Sequence, residues 1–133
     1  MPANFFDTNV LVYAASRDAA KGDRADQILR QGGVISVQVL NELLNVLRRK
    51  FRLDWPVVNG IMVEVRSLLN VVPVTLAVHE AGVMLSRRYG FSVYDSMVVA
   101  AAVQAGCTTL WSEDMQDGME VEGVQIVNPF RVR

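Results

Sequence analysis

Apolar residues in this chain fall into short runs and helical stripes that alternate along its length. Ala3-Asn4-Phe5-Phe6 is a β-prone run that stops at Asp7-Thr8-Asn9, residue types that turn a chain and open a helix. Asp23 to Gln31 predicts a short helix closed by Gly32-Gly33, and Val34-Ile35 is a second brief apolar run. Ser36 predicts the cap of a long helix, with Val37, Leu40, Leu44, Leu47 and Phe51 as its apolar stripe and Gln38, Glu42, Asn45 and Arg49 opposite. Asp54 opens a helix to about Leu69, with Pro56 in its first turn. Val71 to Val74 predicts a third strand, and Thr75 caps a helix over Ala77 to Tyr89 that stops at Gly90. Ser92 begins the last helix, which stops at Gly106. Its run from Met97 to Val103 is apolar all round and calls for cover on every side. Thr108 to Trp111 and Val124 to Val127 predict strands four and five.

Short apolar strands that alternate with helices, without clean period-two patterning, predict an α/β fold with a parallel sheet covered on both faces. In such sheets ligands bind beyond the carboxyl ends of the strands, where helix amino ends converge. A length of 133 residues with 51% hydrophobic and 20% charged content suits one domain over residues 1–133.

Thirteen Lys and Arg against fourteen Asp and Glu give a net charge of -1, which excludes the strongly basic footprint of many nucleic-acid binders. With one cysteine, Cys107, and one histidine, His79, neither a disulfide framework nor a Cys/His zinc site can be assembled. Any metal must sit on oxygen. Cys107 is expected in the core, and His79 has no evident role. The longest apolar run is too short to span a bilayer, and Met1-Pro2-Ala3-Asn4 lacks a basic leader start, so the expectation is a reduced, cytoplasmic protein with no membrane partner. A mean hydropathy of +0.23 in so small a chain predicts an apolar patch covered in a homodimer.

The candidate chemistry lies at the strand ends. Asp7 follows strand one, Glu42 lies in the second turn of the helix after strand two, Asp95 in the first turn of the Ser92 helix, and Asp114, with Glu113 and Asp117 nearby, after strand four. Helical side chains lean toward the amino end, so all four can reach one rim. Each has an ordinary role too: Asp7 as a cap, Asp95 in a Ser92-x-x-Asp95 capping box, Glu42 on a solvated stripe, Asp114 and Asp117 as turn residues. Gathered on one rim they repel each other unless a cation neutralises them. Few, close oxygen ligands suit Mg²⁺ or Mn²⁺, whose natural substrate is a phosphodiester and whose bound water becomes acidic. Thr8, Asn9 and Ser112 would then orient acids or waters.

The runs Phe6-Asp7-Thr8-Asn9-Val10-Leu11, Asn41-Glu42-Leu43, Tyr94-Asp95-Ser96 and Ser112-Glu113-Asp114-Met115-Gln116-Asp117-Gly118 resemble, in order and over nearly the whole chain, the PIN-domain ribonucleases, particularly the VapC-type toxins of toxin-antitoxin pairs. The resemblance implies a five-stranded parallel sheet flanked by helices, with strands one and four adjacent where the winding reverses. It implies Mg²⁺- or Mn²⁺-dependent cleavage of single-stranded RNA. Asp7, Glu42, Asp95 and Asp114 then take the places of the family's acidic quartet, with Asp7 and Asp95 foremost among the metal ligands and Asp117 auxiliary. It also implies a small antitoxin partner that places an Arg or Lys near the acidic rim.

Arg48, Arg49, Lys50 and Arg52 end one helix and Arg87-Arg88 another, where basic residues ordinarily compensate the helix dipole rather than bind phosphate. At 8% aromatic content, Tyr13, Trp55, Tyr89, Tyr94 and Trp111 are expected mostly in the core. Two rival readings stay open. One is a phosphoacceptor domain with Asp7 as nucleophile, against which stand Asn9, where haloacid-dehalogenase-like phosphatases carry a second Asp, and the scarcity of lysine. The other is a non-catalytic binding or scaffold module whose acids only cap helices.

Overall fold

The computed structural model describes residues 3–131, and Met1 and Pro2, on which part of the leader reading rests, lie outside them. β1 (Asn4–Phe6) leads directly into α1 (Thr8–Ser16), with Asp7 as its N-cap. After α2 (Gly22–Leu29) and β2 (Gly33–Ser36), the Ser36 hydroxyl accepts from Val39 N at 3.3 Å and starts α3 (Val37–Arg49). Asp54 caps α4 (Trp55–Leu68), which runs straight into β3 (Leu69–Val72). Thr75 caps α5 (Leu76–Tyr89), Gly90 ends it at φ 77, and Ser92 caps α6 (Val93–Gln104). β4 (Thr109–Trp111), β5 (Glu120–Val121) and β6 (Val124–Val127) complete the chain.

The strands form one sheet in the order β3-β2-β1-β4-β6-β5, parallel except at β5. Phe5 and Phe6 are adjacent in β1, point to opposite faces, and are both fully buried, as are their neighbours Val34 and Ile35 in β2. Both faces of the sheet are therefore covered, and α6 is buried from Ser96 through Ala102 as its all-round apolar surface demands. The chain winds from β1 outward to β2 and β3, then returns to pair β4 on the other side of β1. The β1/β4 junction is thus the point where the winding reverses. No described helix is long and apolar enough to cross a membrane.

Four expectations are corrected. The sheet has six strands, not five: β5 pairs antiparallel with β6 through Glu122 and Gly123, both at positive φ (50 and 85), as a tight two-residue hairpin loop requires. β3 begins two residues before Val71 and ends before Pro73, which lacks the N–H to continue a ladder. On α3 the buried line is Val39, Leu43 and Leu47, with Leu40 and Leu44 beside it, while Val37 and Phe51 are exposed. Packing selects the face centred on Leu43, a neighbouring stripe of equal apolarity. Trp55 and Tyr94 are exposed rather than in the core, whereas Cys107 is buried as expected and His79 lies exposed on α5.

Candidate active site

Asp7 stands at the winding reversal. Its backbone N donates to Trp111 O at 2.9 Å, which extends the β1/β4 ladder to the residue where both strands end. Its carboxylate is only 6% exposed. Oδ1 accepts from Thr8 N at 2.8 Å, and Oδ2 accepts from Ser112 Oγ at 2.8 Å and Asn9 Nδ2 at 3.5 Å. Ser112 Oγ also accepts from Met115 N at 3.4 Å, which curls the chain after β4 back over the site. Asp7 is therefore a helix cap and a buried acid at once. Burial pushes its carboxyl up to about 6, against the pull of the Ser112 and Thr8 hydrogen bonds, and the charges of Asp95 and Glu42 add to the rise.

Glu42, on α3, and Asp95, on α6, are the two acids whose charges add to the rise at Asp7. Both are half-buried. Gln38 Nε2 donates to Glu42 Oε1 at 3.0 Å and to Tyr94 O at 3.1 Å, which ties the start of α3 to the residue before Asp95. Asp95 N donates to Ser92 Oγ at 3.2 Å, half of the capping box. Asp114 is exposed, and its Oδ2 accepts from Asn9 Nδ2 at 3.1 Å. Asn9 thus joins Asp114, the member of the set that the fold buries least, to Asp7, the one it buries most.

Asp117 faces elsewhere. Its carboxylate accepts from Asn128 N at 2.7 Å and pairs with Arg131 at 3.3 Å, so it anchors the C-terminal segment. Glu113 is turned to Tyr13 and Lys21. Sequence reasoning passed over Gln38, Tyr13 and Lys21. For Gln38 a signal existed, its place four residues before Glu42 on one helix face.

Among the described residues no three acids close around one point. The donor set suits an ion that keeps most of its waters and takes one or two protein carboxylates, the habit of Mg²⁺. Thr8 Oγ1, beside Asp7, is a buried side-chain oxygen without a partner among the described residues, as an oxygen waiting for a water or ion would be. The acids, hydroxyls and amide fit a hard cation.

Of the basic residues, Arg48 donates to Leu53 O at 2.8 Å and lies over the Trp55 ring at 4.3 Å, and Arg88 pairs with Glu122. Both have structural work in the fold. A groove of about 420 Å³ runs between α1, α2 and α4, with Leu11, Ala14, Ile61, Val65 and Leu68 on its floor and Arg17, Asp26, Arg30 and Glu64 on its rim.

Residues 5–117 match the family model of the PIN domain. A comparison with curated proteins finds no match. Among solved structures, the chain is similar to one in a toxin-antitoxin complex from Klebsiella pneumoniae (21% identity, TM-score 0.76, covering 97% of this chain and 99% of that one). It is also similar to VapC20 of Mycobacterium tuberculosis, a toxin that cleaves the sarcin-ricin loop (19%, TM-score 0.69, 84% and 89%), and to a chain of VapBC2 from Rickettsia felis bound to a promoter DNA fragment (16%, TM-score 0.66, 92% and 96%). At these identities the likeness is one of fold.

Proposed function

Because the chain belongs to the PIN domain family, we propose that it is a single-domain, metal-dependent endoribonuclease of the cytoplasm and the VapC-type toxin of a toxin-antitoxin pair. The observation that carries this is Asp7, buried at the winding reversal yet held by Ser112 and Thr8 in a form that can ionise, with Asp95 and Glu42 close enough to raise its pKa.

Asp7, Asp95, Glu42 and Asp114 would hold a hydrated Mg²⁺ or Mn²⁺, one or two of them directly and the others through its waters. When bound, the ion supplies positive charge to the scissile phosphate and acidifies water. The chain's own residues prepare that chemistry. Ser112 keeps Asp7 Oδ2 oriented and lowers its pKa toward the range where it is ionised at neutral pH. Asn9 holds Asp114 Oδ2 in place, and Gln38 holds Glu42 Oε1, so neither acid is left to its own rotamers. Two arrangements of hydroxyl and amide thus spend no reorganisation when substrate arrives.

The antitoxin reading is supported by the groove between α1, α2 and α4, whose apolar floor and mixed-charge rim suit an apolar segment of a small partner. The Klebsiella pneumoniae and Rickettsia felis structures are themselves toxin-antitoxin assemblies. A homodimer is supported by Leu76, Val83 and Met84, exposed along α5 at 72%, 41% and 70%.

The test compares the parent with an Asp7→Asn, Asp95→Asn variant on end-labelled RNA, with Mg²⁺ or Mn²⁺ and with EDTA. Metal-dependent cleavage by the parent alone is expected. Equal cleavage by the variant, or cleavage that persists in EDTA, overturns the proposal. A stable phosphoryl adduct on Asp7 would replace it with the phosphoacceptor reading.

A further inference from the structure

Glu113 precedes Asp114 in the chain and, as a free carboxylate, would add a fifth acid to the rim. It is held away. Lys21, in the loop that leads into α2, pairs with one oxygen of its carboxylate, and the Tyr13 hydroxyl donates to the other at 2.5 Å. The Lys21 ammonium also lies over the Tyr13 ring at 4.8 Å and the Phe130 ring at 5.5 Å, and those two rings meet edge to face at 5.1 Å. One partly exposed cation thus meets a carboxylate, a hydroxyl and two aromatic rings drawn from three separate stretches of chain.

The consequence passes through the backbone. With its side chain anchored, Glu113 presents its N–H to Asn9 Oδ1 at 3.2 Å. A side-chain amide has one acceptor end and one donor end, so an oxygen committed to Glu113 N leaves Nδ2 to face the acids. Nδ2 accordingly donates to Asp114 Oδ2 and Asp7 Oδ2. Were the Glu113 backbone to move, the amide could flip and set its oxygen against two carboxylates.

We infer that Lys21 is a positioning residue for the acidic rim: through Glu113 it fixes the orientation of the Asn9 amide, and with it the placement of Asp114 beside Asp7. This rests on the nuclease reading for its biological meaning but has its own readouts. Lys21 touches none of the acids proposed to meet metal or substrate; it reaches them through two residues, Glu113 and Asn9. Asn9, bonded to the acids themselves, is the kind of partner that ordinarily governs metal affinity about tenfold or more, and Lys21 acts on affinity through it.

The experiment uses Lys21→Met, which keeps the stem and removes the charge, and Lys21→Arg as the conservative rescue. Four quantities are read: Mn²⁺ affinity of the purified protein, the Asn9 side-chain amide proton signals by NMR in EDTA, melting temperature, and the KM for RNA across a salt series. Lys21→Met is expected to weaken Mn²⁺ binding about tenfold and to shift or exchange-broaden the Asn9 amide signals, and Lys21→Arg to restore both. A lowered melting temperature with unchanged Mn²⁺ affinity and unchanged Asn9 signals would mean a merely structural ion pair and overturns the inference. A raised KM for RNA with a shallower salt dependence and unchanged Mn²⁺ affinity would mean a phosphate contact, and overturns it equally. If Lys21→Met does not fold, Glu113→Gln, which retains the Tyr13 contact, is expected to show the same two losses. A parent that binds Mn²⁺ but cleaves no RNA sinks the nuclease reading alone, while a parent that binds no Mn²⁺ sinks both.

Discussion

The Ser112 hydroxyl donates to Asp7 Oδ2 at 2.8 Å across the junction of β1 and β4, and neither residue is more than 6% exposed. A buried hydrogen bond to a charged acceptor contributes about 1.5–3 kcal/mol. Here it joins strand ends that lie far apart in the chain, so the site and the centre of the sheet share one interaction.

The Asp7 carboxyl rises from 3.8 to about 6 on folding, so the folded state binds its proton more tightly than the unfolded chain does. For such an acid, stability is lost as pH climbs from the unfolded value through the folded one, and stays lost above it. The loss amounts to about 3 kcal/mol at one pKa unit per 1.36 kcal/mol. Asp7→Asn removes it, though its amide meets Asn9 Nδ2 less well, for a net gain of about 1–2 kcal/mol above pH 6. In EDTA the variant should melt several degrees above the parent at neutral pH and slightly below it near pH 4, where the ionisation loss is gone and only the poorer amide contact remains. A variant that melts below the parent at neutral pH contradicts the burial argument.

Mn²⁺ binds ionised carboxylates, so it should raise the parent's melting temperature at pH 7.5, and that increment should fade as pH falls through about 6, where Asp7 takes up its proton. The Asp7→Asn, Asp95→Asn variant should show no increment at any pH. An equal increment in both proteins would place the metal elsewhere.

Ser112→Ala deletes the donor that lowers the Asp7 pKa. The acid limb of the pH dependence of RNA cleavage should therefore move to higher pH, with a stability cost of about 1.5–3 kcal/mol. A variant with reduced activity but an unmoved acid limb would show that Ser112 serves the turn at Met115 rather than the acid.

Gly33 opens β2 at φ 156, and a Cβ there would sit 2.5 Å from Asn4 O and 2.7 Å from Phe6 Cε2. The first contact is backbone and cannot yield. Gly33→Ala should cost roughly 2–4 kcal/mol, the sum of backbone strain and overpacking. Chemical denaturation would reveal it, and a change under about 0.5 kcal/mol, the size of an ordinary surface substitution, would refute it.

Leu76→Glu with Met84→Glu places two charges on the exposed apolar line of α5. Light scattering should find the parent dimeric and the variant monomeric, with circular dichroism unchanged. A monomeric parent, or a dimeric variant, removes α5 as the shared face.

Much of the fold was legible because its signals are local. Ser36, Asp54, Thr75 and Ser92 each accept from a backbone N–H three residues on, and each marks a helix start that follows from short-range geometry alone. The four acids could be expected on one rim for the same reason: each follows a strand end or lies in the first two turns of a helix, and an α/β sheet sends such positions to one edge. β5 was missed because two residues carry too little pattern, and its Glu122-Gly123 loop is a weaker hairpin signal than Asn-Gly. The buried face of α3 was misjudged because two overlapping apolar stripes compete there, and only contact with the sheet and α1 decides between them.

The sequence by itself determined the class of fold and the order of its elements, and it led to the expectation that Asp7, Glu42, Asp95 and Asp114 share one rim, since caps, periodicity and chain order are properties of neighbours. Only the tertiary structure decided what each acid does once there. Asp117 turns to Asn128 and Arg131, Glu113 to Lys21 and Tyr13, Asn9 takes Asp7 and Asp114, and Gln38 takes Glu42. Those choices depend on which side chains meet across the folded chain. Carboxylates that look alike in sequence are told apart by the donors that reach them.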